Sequence, residues 1–83
     1  MKKITINFET FSGKEDAHNY LAEQLEFPEY YGKNLDALYE CLTEISSPTA
    51  IHLVNIGEEY AEQIAAVFSD AEEENSNLAV FVN

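Results

Sequence analysis

Three short strand-like runs, residues 2–8, 50–56 and 78–82, are separated by connections far longer than a hairpin turn. Ile4, Ile6 and Phe8 alternate with Thr5 and Asn7, the period-two pattern of a strand with one buried side. Ala50 to Ile56 is almost continuously apolar, as expected of a strand covered on both faces. Leu78 to Val82 is the third run. The connections carry helical spacing, and strands joined by helical crossovers run parallel with right-handed connections. The expected fold class is α/β: a small three-stranded parallel sheet packed with three to four helices, one domain over residues 1–83. A chain of 83 residues buries roughly 60% of the surface its unfolded form exposes, so its stability should be modest.

Three helices fit the connections. Ser12 and Glu15 form a capping box that opens the first, which runs to about Leu25. Its buried stripe is Ala17, Tyr20, Leu21 and Leu25, and Phe27 with Pro28 closes it. Asn34 caps the second, with Leu35, Leu38, Leu42 and Ile45 as the buried face and Ser46, Ser47 and Pro48 as its stop. The third runs from about Gly57 to Glu74, with Asn55 and Glu58 as a second capping box. It buries Tyr60, Ala61, Ile64, Val67, Phe68 and Ala71.

Charge narrows the function classes. Sixteen acidic residues face four lysines and no arginine, a net charge of −12. Such a chain repels nucleic acid and anionic lipid and draws basic partners over long range. A single cysteine, Cys41, excludes an internal disulfide and fits a reducing cytoplasm. The two N-terminal lysines precede no apolar run of signal-peptide length, and no stretch approaches a membrane span. The expectation is a soluble, cytoplasmic protein, monomeric before it meets its partner.

Residues 28–43, Pro-Glu-Tyr-Tyr-Gly-Lys-Asn-Leu-Asp-Ala-Leu-Tyr-Glu-Cys-Leu-Thr, are the most specific stretch. The four apolar anchors of the second helix span an arc of about 80°, with Cys41 at its edge as a packing residue. Opposite them, Tyr39, Thr43, Asp36 and Glu40 fall within about 100°, bordered by Glu44. One exposed surface thus carries an aromatic, a hydroxyl and carboxylates, and a large aromatic in mid-stripe is what interface cores favour. Tyr30 and Tyr31 lie on a six-residue loop too small to bury both. Gly32 permits positive φ there, or close approach of another chain.

This segment resembles the binding segment of the barstar family, intracellular inhibitors of bacterial ribonucleases of the barnase type. The order of elements, the size, the acidity and Val67-Phe68-x-Asp70-Ala71 are also similar, so the likeness covers nearly the whole chain. It implies that the loop and second helix plug the basic active site of a ribonuclease. Tyr30 and Tyr31 would pack around the catalytic histidine, with loop contacts from Gly32 and Asn34. Asp36 would pair with an arginine of the guanine-binding loop, Tyr39 would take the place of an exposed tryptophan, and Thr43 would hydrogen-bond nearby. Glu40 would be the phosphate surrogate, making charge-assisted bonds to arginine. Asp70 would be a second acidic arm. Glu40 stands where barstar has aspartate, Glu44 where it has glycine, and the segment before the last helix is shorter by what would be a small helix. These departures leave open barnase itself, a related ribonuclease, or a different basic toxin or nuclease countered by an acidic immunity protein.

Other classes fare worse. His18 and His52 have no cysteine or serine partner at a catalytic spacing and read as ordinary residues, so no enzyme, cofactor or metal is expected. Asp70 and Glu72 to Glu74 lack the alternating ligands and turn glycine of a calcium loop. No Asp-Ser-Leu attachment site of a carrier protein is present. A nucleic-acid mimic would spread its charge rather than focus it beside tyrosines.

Overall fold

In a computed structural model, which describes residues 1–57 and 59–82, strands and helices follow in the order β1 (Lys2–Asn7), α1 (Lys14–Leu25), α2 (Leu35–Thr43), β2 (Thr49–Val54), α3 (Glu59–Glu74) and β3 (Leu78–Val82). The sheet is parallel with β2 in the middle, Ile4 paired with Ile51 and Ile51 with Val80. The α/β class and the strand arrangement are those expected.

Strand order decides where the helices go. Two crossovers of the same hand that step in the same direction put their helices on one side of the sheet. Ile4, Ile6, Ile51, Leu53 and Leu78 accordingly share one core with Ala17, Leu21, Leu38, Leu42, Ile64 and Phe68. The other side is open, which corrects the expectation that β2 is covered on both faces. It carries exposed Lys3 and Thr5, half-buried His52 and Val54, and Phe81, which stacks on His52 at 4.9 Å and stays 51% exposed. Ala50 is buried there by its small size, between neighbouring strands rather than under a helix.

Two caps behave differently. Asn34 caps α2 as expected, its side-chain oxygen accepting from the Ala37 N–H at 2.7 Å. The Ser12–Glu15 box does not form: Gly13 is the N-cap of α1, at φ 85, and no side chain caps that end. The Ala17 N–H already bonds the Gly13 carbonyl, so Ser12 lies one residue too early. The Asn55–Glu58 box falls partly outside the described residues. Asn55, at φ 61, donates instead to the Asn7 side chain at 3.0 Å.

Helix α1 is also rotated from the expected stripe. Ala17, His18, Leu21 and Leu25 are buried, whereas Tyr20 is half-buried, its hydroxyl accepting from the Asn7 N–H. On α3 the buried residues are Ala61, Ile64, Phe68 and Ala71, with Tyr60 and Val67 at the margin.

Candidate partner-binding site

Helix α2 turns Leu38 and Leu42 fully into the core and leaves Asp36, Glu40 and Glu44 exposed. Spaced by four, the three carboxylates form one ridge, drifting about 40° per step around the helix. Tyr39 and Thr43 border the ridge, both half-buried, and the Thr43 hydroxyl donates to the Glu40 carbonyl at 2.9 Å. Among the described residues the one ion pair joins Lys2 to Glu26, at 3.2 Å, so no ridge carboxylate is ion-paired, although Lys14 and Lys33 share an open cleft with Asp36. Like charges four apart on a helix destabilise it by about 0.2–0.5 kcal/mol per pair. Cys41, half-buried beside them, has its thiol pKa pushed up by burial and then by Glu44 and Glu40.

The preceding loop separates its two tyrosines. Tyr30 is 85% exposed and shares a hollow of about 200 Å³ with Phe27, Pro28, Cys41 and Glu44. Tyr31 is 6% exposed, so it is not the surface anchor expected of it. Its ring packs on Phe27 at 4.9 Å, and its hydroxyl lies 2.6 Å from His18 Nδ1. His18 Nε2 lies 2.6 Å from the Tyr60 hydroxyl, so one imidazole bridges α1, the loop and α3. Burial lowers the His18 pKa and raises that of Tyr60. It also raises that of Tyr31, with Cys41 and Tyr60 adding to the effect.

Gly32 matters for space rather than for positive φ. A Cβ there would lie 3.2 Å from the Ala37 Cβ and 3.4 Å from the Asn34 amide nitrogen, so the turn closes tightly onto α2. The positive φ falls on Lys33, at 54°. Asn34 holds both sides of this junction, donating to the Gly32 carbonyl at 3.3 Å while it caps α2.

The far end of α2 is held by another element. The sequence pattern carries the helix through Ile45 to a stop at Ser46, Ser47 and Pro48, but it ends at Thr43, with Glu44 as its C-cap. No basic residue lies in its last turn. The buried Asn75 amide instead donates to the carbonyls of Leu42, Thr43 and Ile45 at 2.9, 3.3 and 2.9 Å. Asn77 adds a bond to Ile45 at 3.2 Å. These donors replace the helical N–H groups that the C-terminal carbonyls lack.

Asn75, just past the end of α3, meets the C-terminus of α2. Tyr60 and Gln63, near the start of α3, line an open cleft of about 360 Å³ with Lys14, Lys33, Asn34, Leu35 and Asp36. The two helices therefore run parallel. Asp70 is exposed and lies two turns beyond Gln63, on about the same side of α3. Among the described residues no three metal-binding side chains gather.

Sequence reasoning missed the His18 bridge and the Asn75 clamp. His18 did carry a signal, since it falls within the arc of about 100° that holds Ala17, Leu21 and Leu25. Asn75 carried none: its role depends on which carbonyls the fold brings near.

Fold and site together define a small acidic α/β domain that presents a carboxylate ridge on α2. The whole chain, residues 1–83, matches the family described as Barstar (barnase inhibitor). It is also 39% identical over 82 residues, covering 89% of each chain, to the Bacillus subtilis (strain 168) protein named "Putative ribonuclease inhibitor YrdF". The chain belongs to the barstar family.

Proposed function

We propose that this protein inhibits a basic, barnase-like ribonuclease in the bacterial cytoplasm, binding it one to one and blocking its active site with α2 and the 28–34 loop. The reading is supported chiefly by three exposed carboxylates that form no ion pair among the described residues, mounted on a helix whose two ends are both held by side-chain amides. A ribonuclease must bind phosphate, so its cleft gathers arginine, lysine and histidine. Glu40, in the middle of the ridge, takes the phosphate's place through charge-assisted bonds. Asp36 and Glu44 lie one turn to either side, giving a ridge about 12 Å long. Asp70 supplies a flanking carboxylate, and Tyr30 and the exposed part of Tyr39 supply packing, with Gly32 and Asn34 fixing the turn between them. Tyr31 acts from within. The added acid at Glu44 favours a target whose basic cleft extends beyond a single phosphate site.

The test is inhibition of a purified barnase-type ribonuclease by Glu40→Ala and Glu73→Ala variants. Glu73 is exposed and lies on α3, outside the α2 ridge. Removing one partner from a buried ion pair costs about 3–5 kcal/mol, so Glu40→Ala should weaken inhibition more than a hundred-fold. Glu73→Ala should leave it nearly unchanged. Equal losses would reduce the site to general acidity.

A further inference from the structure

His18 is 1% exposed, the most deeply buried polar side chain among the described residues. An apolar residue would fill that volume without the desolvation cost of an imidazole. What imidazole adds is two directional bonds, and both are made, to Tyr31 and Tyr60 at 2.6 Å each. Tyr31 is the inner residue of the loop whose outer residue, Tyr30, is 85% exposed. Its own N–H bonds the Pro28 carbonyl at 3.0 Å, closing the loop upon itself. We propose that His18 and Tyr60 are positioning residues for the partner-binding loop, fixing Tyr31 from below so that Tyr30 and the α2 N-terminus meet the ribonuclease preformed. This rests on the function proposed above.

The chemistry makes the device sensitive to protons. A neutral imidazole donates from one nitrogen and accepts at the other, so one tyrosine must donate to it and the other accept. Both phenols are uncharged around neutral pH, and burial pushes their pKa values further up, so that pattern holds. A protonated ring donates from both nitrogens and carries a charge. Its ring partners are Tyr31 of the loop and Tyr60 of α3. Beyond Tyr31 lies the Cys41 thiol of α2. Beyond Tyr60 lie Lys14 of α1, whose ammonium is 5.2 Å from the Tyr60 ring centre, Lys33 of the loop and Asp36 of α2. The one carboxylate among them, Asp36, lies in the open cleft beyond the Tyr60 ring, and neither phenol that touches the imidazole offers it a counter-charge. The sign follows: with its pKa below 6.5 in the closed structure, His18 takes up a proton more readily once the loop opens. Loop order is complete above about pH 6.5 and is lost as pH falls through the closed-state value.

The experiment is amide hydrogen exchange on the free, full-length protein, with the Tyr31 N–H as reporter and the β2 amides as internal reference. Between about pH 7.5 and about pH 5.5, protection at Tyr31 should fall relative to β2 in the wild type, by up to about ten-fold. Tyr60→Phe, which keeps the ring, should show a comparable fall already at about pH 7.5. His18→Gln should remove the pH dependence. Unchanged protection in Tyr60→Phe, or a fall shared equally by β2, overturns the proposal and leaves His18 an ordinary core residue. A second arm measures binding to purified barnase. Tyr60→Phe should speed dissociation about ten-fold and change association by less than about two-fold, the pattern of a lost preorganised contact. A wild type that binds no barnase-type ribonuclease overturns the ribonuclease reading, while the exchange result still decides the positioning role.

Discussion

Asp36, Glu40 and Glu44 on α2 and Glu72, Glu73 and Glu74 at the end of α3 are two sets of three carboxylates on helices of one small domain. In the first set the spacing of four lines them up on a single exposed ridge. In the second they are consecutive, so each points about 100° from the last and no common face exists. Glu72 turns back and accepts from the Val80 N–H at 2.7 Å, satisfying an amide of edge strand β3. Glu73 and Glu74 face solvent at a helix C-terminus, where the dipole opposes them. The contrast shows that spacing and mounting, rather than the number of charges, make an acidic stretch into a site.

After Glu40→Ala, the largest effect should come from Asn75→Ala, which attacks the mounting and not the charge. It strips donors from three carbonyls at a position only 7% exposed. The expected loss is about 2–3 kcal/mol of stability, read as a lower urea midpoint. Partner binding should weaken as well, because the C-terminal turn of α2 frays and takes Glu44 with it. A stable Asn75→Ala variant with unimpaired binding would show that the ridge needs no clamp.

A smaller effect is expected at Glu72, on the other side of the comparison. Glu72→Ala leaves the Val80 amide to water and should cost about 1 kcal/mol, with Glu72→Gln recovering part of it through its carbonyl oxygen. Inhibition should not change. Loss of inhibition without loss of stability would move Glu72 into the site and erase the distinction between the two acidic stretches.

What the chain reveals in one dimension follows from how local each feature is. The limits of β3 and the Asn34 cap were legible because each depends on a few neighbouring residues. The exposed acids of α2 were legible because a strong apolar stripe orients that helix. The Ser12 box failed because Gly13, free to take φ 85, started the helix one residue later. The continuous apolar run of β2 suggested two covered faces, but only strand order reveals that both crossovers pack on one side. Tyr31 and Asn75 were hidden for a deeper reason. Their partners, His18 and the carbonyls of Leu42 to Ile45, are distant in sequence and meet only after folding.

Glu44 gives the smallest effect and the sharpest comparison, because stability and binding should move in opposite directions. It lies one turn from Glu40 and at the C-cap of α2, so it opposes both a like charge and the helix dipole. Glu44→Gln should therefore stabilise the free domain by about 0.5 kcal/mol in a urea titration. The same variant should lose about two- to five-fold in affinity for the ribonuclease at low salt, mainly through slower association. That loss should shrink as ionic strength approaches about 0.15 M, where the Debye length is about 8 Å. A residue kept for the fold would lose stability and binding together when neutralised. One kept for the partner pays for its place with intramolecular repulsion that a cationic surface relieves, and only the second case gives changes of opposite sign.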